Sequence, residues 1–193
     1  MESILTKSTH KMETNNLHEK TITDFITIAA EYCRAIDNLH QYSPHLFASY
    51  AVKILPLLYI KASILPDFED YDRDLVEKFV AEEEWTKVKI RLEIIFGKHD
   101  NYIETVGRFE ENEEASISEN LADIYQDLKD FTQLMAFGIN DATREAVGEV
   151  KRNFTDYWGQ RAVNSLKMVH ALYIGNKLSK EPLFPDEEVE ELD

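Results

Sequence analysis

The sequence predicts an all-α protein: an irregular antiparallel bundle of about five main helices, closed by a long C-terminal one. Two observations carry this. From Asp141 to Gly175, apolar residues recur at Val147, Val150, Phe154, Trp158, Ala162, Leu166, Val169 and Tyr173, in steps of three and four. That is the repeat of a helix with one buried face. At 1.5 Å per residue it runs on the order of 50 Å, a strut that only other helices can cover. The chain also holds only 6 glycines and 5 prolines in 193 residues, which suits helices better than a β-sandwich with its many turns. A chain of this length buries roughly 70% of its unfolded surface and needs no metal or disulfide to fold.

The elements follow in order. Residues 1–16 read as a disordered lead-in, 17–176 as a single domain and 177–193 as an acidic tail. Helix 1 is expected from a cap at Thr21 or Thr23 to about Gln41, with Ile22, Phe25, Ile26, Ala29, Tyr32, Cys33, Ile36 and Leu39 on one broad face. Ser43 caps helix 2 and Pro44 takes its first position. Pro56 should kink or break that helix, which ends before Pro66. An acidic loop, Asp67 to Asp72, precedes a short helix near Leu75 to Phe79. Helix 3 runs from about Glu82 to Phe96, with Trp85, Val88, Leu92 and Ile95 inward and Gly97 as its stop. Asn101 to Phe109 reads as a further short helix before the acidic loop Glu110 to Glu114. Ser116 and Glu119 form a capping box that opens helix 4, which runs to about Phe137. Helix 5 begins after Asp141.

Charge bounds the function. The net charge of −16 argues against nucleic-acid backbones and anionic membranes. Seven acids and no base lie between Glu181 and Asp193, a segment expected to fray or to dock only by Leu183 and Phe184. No apolar run reads as a membrane span and no signal-peptide core precedes the domain, so a cytoplasmic location is expected. The single cysteine, Cys33, excludes an internal disulfide and reads as a small buried hydrophobe.

Three constellations invite chemistry. Glu119, Asp123, Asp127 and Asp130 form a carboxylate row on helix 4 that could hold Mg²⁺. On a helical wheel the row lies opposite Leu121, Leu128 and Phe131, so it is expected to face solvent. Asp37 and His40 are spaced for a two-metal bundle, but the second such motif is missing, so no metal or cofactor is expected. The third is Tyr157, Trp158 and Arg161 on the last helix. Gly159 there costs about 1 kcal/mol against Ala and implies a close approach. Arg161 then either pairs with an acid of helix 1 or 4, or meets a carboxylate or phosphate ligand beneath Trp158 and Tyr157.

The stretches Leu55-Pro56-Leu57-Leu58-Tyr59, Asp123 to Phe131 and Tyr157-Trp158-Gly159 resemble a bacterial family of small all-helical proteins catalogued only as a domain of unknown function. The resemblance spans about Thr21 to Tyr173 and implies a compact all-α fold. Its motifs are not catalytic signatures, so it transfers no functional residue. The function expected is non-enzymatic: a protein-interaction or adaptor domain whose acidic loops and tail suit a basic partner, with no nucleic acid and no membrane. The alternative is a Mg²⁺-dependent nucleotide hydrolase using the helix 4 carboxylates. A third reading, an acidic mimic of nucleic acid, has only the net charge behind it.

Overall fold

The computed structural model describes residues 2–68, 71–72, 76–106, 111–136 and 140–183. Its elements are α1 (Glu2–Asp37), α2 (Pro44–Ser63), α3 (Glu82–Phe96), β1 (Asn101–Val106), β2 (Glu111–Ser116), α4 (Ile117–Ala136), α5 (Asn140–Asn153) and α6 (Gly159–Ile174). A π turn, Phe154–Trp158, joins α5 to α6, so the two make one long C-terminal rod. The fold is largely all-α, as the periodicity predicted.

Local chemistry accounts for the helix ends. The Ser43 hydroxyl accepts from the Leu46 amide at 3.3 Å, and Pro44 begins α2. Gly97 stops α3 at φ +50°, a conformation that favours glycine. At the start of α4, the Glu119 amide donates to Ser116 Oγ at 3.1 Å. Asp100 adds what the sequence did not announce: it accepts from the Ser118 amide at 2.8 Å and from the hydroxyls of Ser116 and Ser118. A carboxylate at a helix N-terminus also complements the helix dipole.

α4 is the hub. It packs against α1, α3, α5 and α6, while α2 packs against α1 and α6. Leu121, Ile124 and Leu128 of α4 are fully buried, as are Phe25 and Ile36 of α1 and Trp158 of the rod. Trp158 stacks 6.5 Å from Phe25 and meets Phe154 edge-on at 4.9 Å. The stripe expected on the last helix is the one that packs.

Several expectations are corrected. α1 starts at Glu2 rather than at Thr21 or Thr23, so the backbone of the expected lead-in is helical from residue 2. α2 runs through Pro56 without a break to Ser63. Residues 76–80 are irregular, so the short helix expected near Leu75 to Phe79 is not there among the described residues. Where a helix was expected at Asn101 to Phe109 and a loop after it, Asn101–Val106 and Glu111–Ser116 are antiparallel strands in which Tyr102 pairs with Ala115 and Ile103 with Glu114, and 107–110 lie outside the described residues. The alternation Tyr102-Ile103-Glu104-Thr105-Val106, rich in β-branched residues, favours a strand over a helix. Among the described residues, α2 is long and apolar enough to cross a membrane by length and composition, with mean hydropathy 1.3, where no such run was expected. Its Phe47, Ala48, Ala51, Leu55, Leu58 and Ala62 are spent on the core. The end of the expected helix 4, at Phe137 and Gly138, and Phe184 of the tail lie outside the described residues.

Candidate functional site

The carboxylate row of α4 is not a solvated face. Glu119 is exposed, but Asp123 and Asp130 are 7% and 2% exposed, and Asp127 is only partly accessible. The wheel equated the polar side of α4 with solvent. A hub helix has no solvent side: α3 and residues 76–80 cover one flank of the row, and the rod covers the other. Burial of an unpaired carboxylate costs several kcal/mol, so each must find donors.

Asp123 finds three. Trp85 Nε1 donates to Oδ1 at 2.9 Å, the Tyr157 hydroxyl donates to Oδ2 at 2.8 Å, and Arg161 Nε lies 3.1 Å from Oδ2. The Arg161 guanidinium stacks on the Tyr157 ring at 4.2 Å, and its NH1 donates to Asn120 Oδ1 at 2.7 Å. The chain of bonds continues outward. Asn120 donates to the Tyr102 hydroxyl at 2.8 Å, that hydroxyl donates to Glu104 at 3.1 Å, and Asn164 donates to the same carboxylate at 2.6 Å. Burial, then the bond to Asp123, pushes the Tyr157 hydroxyl up to about 12. This network ties α3, α4, the hairpin and the rod together.

The three residues singled out on the rod therefore part company. Trp158 is fully buried, packed against Phe25 and Phe154. Tyr157 stays 45% exposed at the rim, and Arg161 pairs with an acid of helix 4. The close approach at Gly159 comes from its own helix: its amide bonds the Phe154 carbonyl across the π turn, and an added Cβ would collide with that oxygen and crowd the Phe154 ring. The sequence carried a signal for this turn. Val150, Phe154, Trp158, Ala162 and Leu166 are four consecutive steps of four, which overrun an α-helix by about 1.6 residues. One wide turn absorbs most of the excess.

Asp130 is a clamp on the chain before α3. Its Oδ1 accepts from the Phe79 and Val80 amides at 2.8 and 2.9 Å. Its Oδ2 makes no hydrogen bond and lies 3.7 Å from Lys78 Nζ, which also stands 3.8 Å from Glu149. Among the described residues Asp127 accepts from Asn153, at 2.9 Å, and burial pushes its carboxyl up to about 6. A cavity of about 10 Å³ adjoins Lys78, Asp127, Asp130 and Glu149, room for about one water. Burial pushes Glu149 up, but bonds from Tyr71 and Arg152 bring its carboxyl below the usual range. Among the described residues, no group of three or more His, Cys, Asp or Glu is placed to hold a metal ion.

The remaining motifs are also accounted for. Asp37 does not turn to His40: it accepts from the Tyr125 hydroxyl at 2.7 Å and from Lys129 at 2.8 Å. Cys33 is buried as expected, and burial pushes its thiol up to about 12, far from a reactive thiolate.

The fold and these networks define a class: an all-α domain whose buried polar side chains fasten helix to helix. The chain belongs to the family described as Domain of unknown function (DUF5063), whose model matches residues 16–174. It is also similar to the crystal structure of protein BF1032 from Bacteroides fragilis, at 35% identity and a TM-score of 0.72, over 79% of this chain and 92% of that one. No curated protein matches the chain.

Proposed function

We propose that this domain acts by binding a partner protein at the face where α2 meets α6, and not by catalysis. One observation carries the reading. Tyr59, Ile60 and Val163, 41%, 55% and 45% exposed, line one groove with Pro56 and Leu166, a hollow of about 180 Å³. Exposed apolar residues are ordinary when scattered; gathered in one groove, they mark an interaction site. The hydrolase alternative needs carboxylates converging on a substrate-sized cleft. Asp123 is engaged by three donors, and the cavity beside Asp127 and Asp130 has room for about one water.

The test places a photo-crosslinking amino acid, p-benzoylphenylalanine, at Ile60 of the full chain in cells. A discrete heavier adduct is expected, absent when the crosslinker stands at exposed Lys87 and lost when Val163→Glu is added. No adduct, or an adduct of twice the chain mass, contradicts binding to a partner.

A further inference from the structure

The groove lies in an acid-free part of an acidic chain. Residues 38–66 and 157–180, which contain α2 and α6, hold no Asp or Glu; all 37 acids lie elsewhere. The same two stretches hold Lys53, Lys61, Arg161, Lys167, Lys177 and Lys180. Two of these cations face inward, Lys61 to Asp24 at 2.7 Å and Arg161 to Asp123 at 3.1 Å.

Two others flank the groove. α2 and α6 run antiparallel, because Tyr59 meets Phe154 at 5.0 Å while His45 meets Tyr173 at 5.1 Å. Lys53, one turn before Pro56, and Lys167, one turn after Val163, therefore come to the same end of the hollow. Both are exposed. Lys53 donates to the Ser49 hydroxyl at 3.1 Å, and neither makes an ion pair with a described carboxylate. At the other end Lys151 donates to the Ala62 and Ser63 carbonyls.

We infer that the α2–α6 groove takes an acidic protein segment with an apolar face, set against Ile60 and Val163 with its carboxylates toward Lys53 and Lys167. This rests on the binding reading above and inverts what the net charge alone suggested about the partner. An anionic membrane has the same charge but the wrong shape. It is broad and meets the −16 of the whole molecule, whereas a single segment stays within about one Debye length, ~8 Å, of the groove. A hollow between two helices also fits the ridge of a segment better than a plane.

The test uses two synthetic helical peptides with the same leucine face, one carrying glutamates on its other face and one lysines. Each is titrated into the full chain while the Ile60 and Val163 methyl NMR signals are followed. The glutamate peptide is expected to shift both signals, and Lys53→Glu with Lys167→Glu to weaken it at least about tenfold with the melting temperature unchanged. Equal binding of both peptides would overturn the charge inference and leave the binding reading standing. No shift from either overturns the inference, and the Ile60 crosslink then decides the binding reading on its own. Shifts caused by phosphatidylglycerol vesicles and not by the glutamate peptide make the face a lipid contact and overturn it as well. So does a shift of both signals on deleting 181–193 before any peptide is added, since the chain's own acidic segment would then fill the groove.

Discussion

Asp127 is the α4 acid whose burial is least compensated. Among the described residues its donor is neutral Asn153, with Lys78 near and Asp130 and Glu149 as unfavourable neighbours. Its folded pKa, about 6, lies above the ~3.9 of an unfolded aspartate, so the folded state binds more protons between those values. Stability therefore falls as pH rises from about 4 to about 6 and levels off above. Asp127→Asn removes this cost. It should melt higher than wild type at pH 7, by about 1–3 kcal/mol, with the gain vanishing near pH 4. A gain independent of pH would contradict the assignment. Arg161 behaves oppositely. Its partner Asp123 is 9% exposed in its side chain and cannot retreat to water. Arg161→Met should cost about 1–3 kcal/mol by thermal melting, and phosphate or citrate should stabilise neither protein. Stabilisation of wild type alone by either anion would make Arg161 a ligand residue.

At the scale of elements, the rod is the sharpest case. Propensity alone says Gly159→Ala should gain about 1 kcal/mol. The Phe154 carbonyl occupies the place of the new methyl, so the variant should instead lose about 1–3 kcal/mol. A raised melting temperature would show that the π turn relaxes to α-helix. The end of the chain is held before its acidic part: Leu178 is buried and the His45 amide donates to Ser179 at 2.9 Å. Deleting 181–193 should therefore shift the melting temperature by less than about 5 °C. The extent of α3 was legible, because an acidic first turn and a glycine stop bracket an apolar stripe. The hairpin was not. Its second strand, Glu111–Ser116, carries three glutamates and reads as a polar loop; only pairing with β1 makes it a strand. At Pro56 the break does not occur, since packing of α2 against α6 holds the helix together across a missing hydrogen bond.

For the whole molecule, the periodicity of the last helix was enough to give the class, and the family resemblance was legible in three short stretches. The carboxylate row was legible as residues but not as environment, because a wheel shows one helix and the hub lies among four others. The groove was harder to see. Tyr59, Ile60 and Val163 fall outside the apolar faces read for their helices, and only setting α2 beside α6 gathers them with Pro56 in one groove. Asp123 and Asp130 of α4 act as clamps that hold neighbouring elements to the hub. Thermal melting of Asp123→Ala and Asp130→Ala at pH 7 tests this most directly. Clamps lost should lower the melting temperature of each by more than about 5 °C, because Trp85, Tyr157 and Arg161 in one case, and the Phe79 and Val80 amides in the other, lose their acceptor. Either variant melting at or above wild type would contradict the clamping role of that acid.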